Sequence, residues 1–138
     1  MGLNQRLVDS ATALLEERFP EGEGVAAALY TDDGQILTSV YFDPNGGVAG
    51  LCAETGALLE AHKLGKRVAA IACVARKGAH EAPVVLTPCG VCQERLVHWG
   101  YDVEVAVPDP ADPTRWLAKR LHEVQPYHWR KVKRAKAP

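Results

Sequence analysis

Two short stretches of this chain carry the residue types and spacing for chemistry: Cys52-Ala53-Glu54 and, further along, Pro88-Cys89-Gly90-Val91-Cys92. A Cys-x-x-Cys pair alone serves redox sites and structural zinc knuckles as well as catalysis. Joined to a Cys-x-Glu, with each group opening a predicted helix, it points to a catalytic metal. Cys52, Cys89 and Cys92 would fill three positions of a tetrahedral zinc and leave the fourth for water. The metal would bring the acidity of that water toward neutrality. Thiolates are strong donors and blunt this effect; the N–H groups and positive dipole ends of helix N-termini offset the charge they bring. Glu54, two residues past Cys52, would lie near the water without being a ligand. A carboxyl there can take a proton from water and deliver it to a ring nitrogen, then to a departing amine. Backbone N–H groups at Ala53 and Cys89 would brace the reacting groups.

Other readings of the cysteines remain open. A structural zinc needs a fourth protein ligand, and Cys73 is the only other thiol. It sits in the apolar run Ile71-Ala72-Cys73-Val74, where a small buried thiol is the ordinary reading. A dithiol redox pair at Cys89 and Cys92 leaves Cys52 and Glu54 without a role. His62, His80, His98, His122 and His128 show no ligand-like mutual spacing and read as surface residues.

The elements that must position these groups follow from periodicity. Leu3, Leu7, Val8, Ala11, Leu14 and Leu15 recur at helical spacing up to Arg18, and Phe19-Pro20-Glu21-Gly22 stops the helix. Val25–Thr31 and Gln35–Phe42 read as strands joined by the turn Asp32-Asp33-Gly34. Asp43-Pro44-Asn45-Gly46-Gly47 is a loop. A helix is expected from about Cys52 to Gly65, and the unbroken apolar run Val68–Ala75 reads as a central strand. Val84–Leu86 is a short extended approach to a second helix, which runs from Cys89 or Gly90 to near Gly100. Val103–Val107 is another buried strand. Thr114–Val124 is ambiguous: Trp116, Leu117, Leu121 and Val124 suit a helix, and a short strand followed by a turn is also possible. Strands alternating with helices predict a three-layer α/β/α domain.

The chain of 138 residues is long enough for one domain with a real core. The domain is expected over residues 1–129, with a basic tail over 130–138. Five of the 16 basic residues fall in that tail (Arg130, Lys131, Lys133, Arg134, Lys136), leaving 11 against 17 acidic residues in the body. So acidic a body argues against a nucleic-acid surface, and the tail reads as a solvated terminus. No apolar run suits a membrane span, and the N-terminus lacks a secretory pattern, so the expected location is the cytoplasm, with thiols reduced.

The motifs match the cytidine deaminase superfamily, whose Pro-Cys-x-x-Cys and non-ligand glutamate serve zinc deamination. The three-cysteine form resembles the small homotetrameric cytidine deaminases, and more closely the blasticidin-S deaminases. Val25-Ala26-Ala27-Ala28-Leu29, Asp33-Gly34-Gln35-Ile36 and Tyr127-His128-Trp129 extend the resemblance over residues 3 to 129. It implies a five-stranded mixed sheet in the order 2-1-3-4-5, with the stretch near Trp116 as the fifth strand. It also implies a homotetramer whose neighbouring subunits complete each site, and a lid role for Trp129. Departures fall on substrate recognition. The family's Asn-x-Glu before the Cys-Ala-Glu is replaced by Tyr41-Phe42-Asp43, an aromatic before the first strand by Glu23, and an arginine after the glutamate by Thr55. Substrate contacts are therefore assigned to Tyr41, Asp43, Glu23, Pro88 and Trp129.

The expected activity is hydrolytic deamination of a pyrimidine-like heterocycle: a free base, a nucleoside or a blasticidin-like compound. A nucleic-acid-editing deaminase and a non-catalytic zinc-binding interaction module are the competing classes.

Overall fold

In the computed structural model, which describes residues 2–131, the chain opens with helix α1 (Gln5–Arg18). The Asn4 side chain caps it by accepting the Leu7 N–H at 3.1 Å. One face of α1, carrying Leu7, Val8, Ala11 and Leu15, is fully or almost fully buried. Strands β1 (Gly24–Thr31) and β2 (Ile36–Val40) form the expected hairpin. Helix α2 (Thr55–Lys63) leads to β3 (Val68–Arg76), and the three-residue β4 (Val84–Leu86) leads to α3 (Gly90–Leu96). Strands β5 (Glu104–Asp109) and β6 (Asp112–Arg120) and the single turn α4 (Leu121–Val124) follow.

The sheet runs β2-β1-β3-β5-β6. Only β3 and β5 are parallel; the other pairs are antiparallel. With β4 set aside this is the expected order. β4 is an addition: it pairs Cys73, Val74 and Ala75 along the same edge of β3 that pairs with β5 at Ala70 and Ile71. The edge is thus shared, β5 on its first half and β4 on its second.

Side chains on β1, β3 and β5 alternate between two cores. Ala26, Ala28, Tyr30, Ala70, Ala72, Val74 and Ala106 pack with α1 on one face. Leu29, Ile71, Val105 and Val107 pack with Leu58 and Ala61 of α2 and Leu96 of α3 on the other. This is the three-layer arrangement that alternating elements predict.

Two local expectations shift. The second helix starts at Thr55 rather than Cys52, so Cys52, Ala53 and Glu54 form the turn that feeds it; the Thr55 N–H reaches the Cys52 carbonyl at 3.1 Å. The ambiguous stretch is a strand followed by a turn of helix. Its helical spacing arose because β6 is an exposed edge strand with little apolar alternation, while Leu121 and Val124 belong to α4. Of the basic tail, Arg130 and Lys131 lie in a short 3-10 turn, Trp129–Lys131; Lys133, Arg134 and Lys136 lie outside the described residues.

Candidate active site

The turn Cys52–Glu54 and the start of α3 meet above the second half of β3. Cys89 is the N-cap of α3 and Cys92 lies in its first turn. The Sγ atoms of Cys52, Cys89 and Cys92 all lie within 4.8 Å of one another. Cys52 Sγ and Cys89 Sγ stand 3.1 Å apart. Sulfurs tetrahedrally bound to one zinc stand about 3.8 Å apart for a metal–sulfur bond near 2.3 Å, so this set fits a single ion. Cys92 is fully buried, Cys52 is half-buried and Cys89 faces the opening.

The thiols differ in their electrostatics. The neighbouring Cys89 thiol and then burial hold Cys52 above its ordinary value. Burial, followed by the nearby Glu54 charge, pushes Cys92 up. Burial opposes ionisation of Cys89 too, but the backbone N–H groups of Cys92 and Val91 and the two other thiols outweigh it, and Cys89 falls below its ordinary value. That is the effect expected of a helix N-terminus on a sulfur placed at its cap.

Glu54 is 3% exposed, and its carboxyl is raised above the ordinary range by burial. Opposing this are its own backbone N–H, the Cys73 and Cys92 thiols beside it and the charge of Arg95. Cys73, which the sequence presented as a plain core thiol, therefore sits under the carboxyl from β3. Burial, followed by the Glu54 charge, pushes the Cys73 thiol well above its ordinary value, and it stands outside the sulfur cluster.

A second pair of residues not singled out by the sequence fixes this turn to the sheet. Ser39 Oγ of β2 donates to the Ala53 carbonyl at 2.5 Å and accepts the Ala57 N–H of α2 at 3.0 Å. A Cβ added at Gly56 would lie 2.9 Å from the Ser39 Cβ. Glycine is required there because α2 approaches β2 so closely.

Cys52, Cys89 and Glu54 lie on the floor of an open pocket of about 410 Å³, with Cys92 buried outside its lining. Its walls include Tyr41, Phe42, Asp43, Leu51, Leu86 and Thr87. Phe42 and Leu51 bond to each other through their backbones (3.0 and 2.7 Å) and close the loop between them. Among the described residues no lysine or arginine lines the pocket.

Of the residues expected to touch substrate, Tyr41 and Asp43 lie in the pocket, as does Ala53. Glu23 is exposed and stands outside it. Pro88 is buried behind the wall, its carbonyl accepting from Gln93 Nε2 at 2.8 Å. Trp129 is 65% exposed, and its indole N–H donates to Glu94 Oε1 at 3.1 Å, away from the pocket of its own chain. His128, read from the sequence as a surface residue, is buried: Nε2 meets Glu94 Oε2 at 2.6 Å and Nδ1 meets the Tyr101 hydroxyl at 3.0 Å.

No protein-family model and no curated relative matches the chain. Solved structures do. Cytidine deaminase from Bacillus anthracis is 46% identical, with 91% of this chain and 88% of that one covered and a TM-score of 0.84. The chain belongs to the cytidine deaminase family. Cytidine deaminase from Mycobacterium tuberculosis is 26% identical over 91% of this chain and 95% of its own, at a TM-score of 0.68. That from Mycobacterium leprae, at 21% identity and a TM-score of 0.70 over 91% and 99%, shares the fold. Family and site agree on a zinc-dependent hydrolytic deaminase.

Proposed function

We propose that this deaminase hydrolyses the exocyclic amine of a small pyrimidine-like heterocycle, as free base, nucleoside or blasticidin-like compound, leaving a carbonyl and releasing ammonia. The observation that carries the reading is the buried Glu54 carboxyl set against the three-sulfur cluster at the floor of an open pocket. Cys52, Cys89 and Cys92 hold the zinc, which when bound supplies the Lewis acidity that activates water at neutral pH.

Glu54 is the general acid and base. Burial favours its protonated form, so a proton accepted from the attacking water stays available for transfer. Glu54 passes that proton to the ring nitrogen beside the amine-bearing carbon, then takes the proton of the hydroxyl now on that carbon and gives it to the amine, so that ammonia departs and a carbonyl is left. Backbone N–H groups at Ala53 and Cys89 brace the reacting groups from the two sides of the cluster.

Tyr41 and Asp43 contact the substrate from the wall. A pocket whose described lining holds two carboxylates and no cation favours neutral or cationic rings and disfavours phosphorylated ones. Glu23 and Trp129, outside the pocket of a single chain, would reach a substrate only across a subunit boundary. A homotetramer supplies such a boundary. Leu59 of α2 (63% exposed) lines an apolar groove with Leu58, His62 and Trp99, which supports assembly on that side. Among the described residues no helix is long and apolar enough to cross a membrane. The thiolate ligands suit a reducing compartment such as the cytoplasm.

Ammonia release from zinc-loaded protein, measured over cytidine, deoxycytidine, cytosine, blasticidin S, guanine and aminotriazines, tests the reading. Turnover of at least one aminated pyrimidine that vanishes in Glu54→Gln is expected. Stoichiometric zinc with no ammonia from any of them would overturn it in favour of a binding module.

A further inference from the structure

We propose that Arg95 is the positioning residue that balances the charge of the three-thiolate centre. Its guanidinium comes from the end of α3, one helical turn past Cys92. Nη1 donates to Thr55 Oγ1 at 2.7 Å and to Cys92 Sγ at 3.7 Å, a distance at which the large sulfur atom still accepts. The inference rests on the reading that Cys52, Cys89 and Cys92 hold zinc.

The need for a cation follows from the charges. Three thiolates around a divalent metal leave one negative charge in excess, and Glu54 adds another when it ionises. Cys92 is 0% exposed, so water cannot solvate its share. An uncompensated buried charge is costly, and a charge-assisted hydrogen bond is the usual remedy. Helix dipole and backbone N–H groups act mainly on Cys89, at the cap of α3. Among the described residues no lysine or arginine lines the pocket side of the cluster. The cation therefore has to come from behind, and Arg95 is there.

Thr55 explains how the guanidinium is held. The residue following Glu54 is neutral in this chain, but its hydroxyl fixes Arg95 between α2 and α3. It anchors a cation delivered by the other helix. The arginine stem lies in the groove with Leu58, Leu59 and Trp99, so apolar packing orients the charged end. A planar guanidinium can serve oxygen and sulfur together, which a single ammonium does less well.

The test uses the full chain loaded with zinc or cobalt(II), as wild type, Arg95→Ala, Arg95→Gln, Arg95→Lys and Thr55→Val. Arg95→Gln retains a donor near Thr55 without the charge, and so separates charge from packing. Arg95→Ala and Arg95→Gln are expected to surrender zinc to a chromophoric chelator roughly tenfold faster or more, in line with losses of outer-shell partners elsewhere. Their cobalt thiolate charge-transfer band should move to lower energy as the sulfurs become richer in electrons. Arg95→Lys should recover part of the zinc retention, and Thr55→Val should shift it the same way as Arg95→Ala by less. Wild-type zinc retention and an unmoved cobalt band in both Arg95→Ala and Arg95→Gln would overturn the assignment while leaving the zinc site intact. A wild-type protein that takes up no zinc would overturn the zinc reading and this inference with it.

Discussion

The two faces of the central sheet are built from alternate residues of the same strands and do different work. On β3, Ala70, Ala72 and Val74 point to α1, while Ile71 and Cys73 point to the α2–α3 side. The α1 face is an apolar core satisfied within the chain: Leu7, Ala11, Leu15 and Tyr30 are all 0% exposed. The other face starts as the same kind of core at Ile71 and Leu58. One step along β3 it becomes a site, where Cys73 lies near the ionisable Glu54 carboxyl and the N-terminus of α3 turns its N–H groups toward Cys89. It also leaves Leu59 and Val91 at the surface. Burial on one side supplies stability; on the other it perturbs Glu54 and the cysteines.

Glu54→Gln should break the site face alone, and gives the largest effect. Loss of a positioned acid and base costs about 10²–10⁴-fold in rate. Zinc content and thermal midpoint should stay near wild type, because the amide fills the same volume and places no new charge. Turnover retained within tenfold of wild type would remove Glu54 from the proton transfers. The mirror experiment is Leu15→Ala on the α1 face. A fully buried leucine cut to alanine costs about 2–5 kcal/mol, and denaturant titration should show it. Turnover per folded, zinc-loaded molecule should not change. If it fell with stability, the two faces would be coupled through β3 and not separable.

Gly56→Ala tests the joint between them. The added methyl would meet Ser39 at 2.9 Å, so α2 must lift from β2. Overpacking of this kind costs about 1–3 kcal/mol. Because Ser39 also holds the Ala53 carbonyl, the same displacement should lower kcat in the folded protein, unlike Leu15→Ala. Equal kcat in the two variants would show that the turn holds its geometry without that clamp.

How far the sequence revealed this arrangement depended on how locally each contact is encoded. The three-cysteine cluster and the carboxyl of Glu54 beside it were legible because thiol and carboxyl chemistry is packed into two short motifs at helix starts. The hairpin and β3 were legible from turn chemistry and an unbroken apolar run. The sheet order came from family resemblance, since nothing local tells β5 which strand to join. Ser39 with Gly56, and Arg95 with Thr55, were not legible: each pair joins distant segments, and neither residue is unusual in its own neighbourhood. Cys73 is the buried strand thiol that its apolar run predicted, and its nearness to Glu54 was not legible because burial alone does not say which group lies opposite. His128 was misplaced for a similar reason, as its partners Glu94 and Tyr101 belong to other elements.

The smallest expected effect lies at the β1–β2 turn, outside both faces. The Thr31 hydroxyl donates to Asp33, and Lys66 pairs with it at 2.9 Å. The Thr31 hydrogen bond first, and then Lys66, hold the Asp33 carboxyl down at about 2. A folded-state value below the unfolded one means that the ionised carboxylate stabilises the fold above the unfolded value. That contribution fades as pH falls through about 2. Asp33→Asn should therefore lower the thermal midpoint slightly near neutral pH, and the gap should close in strong acid, where the wild-type carboxyl is itself protonated. Asp33 is solvated, so the gap should also shrink in high salt. Turnover at neutral pH should match wild type, since no atom of the turn lines the pocket. A kcat change without a shift in the midpoint would mean that the hairpin helps to set the loop from Tyr41 to Leu51, and the site would then extend along β2 to the far end of the sheet.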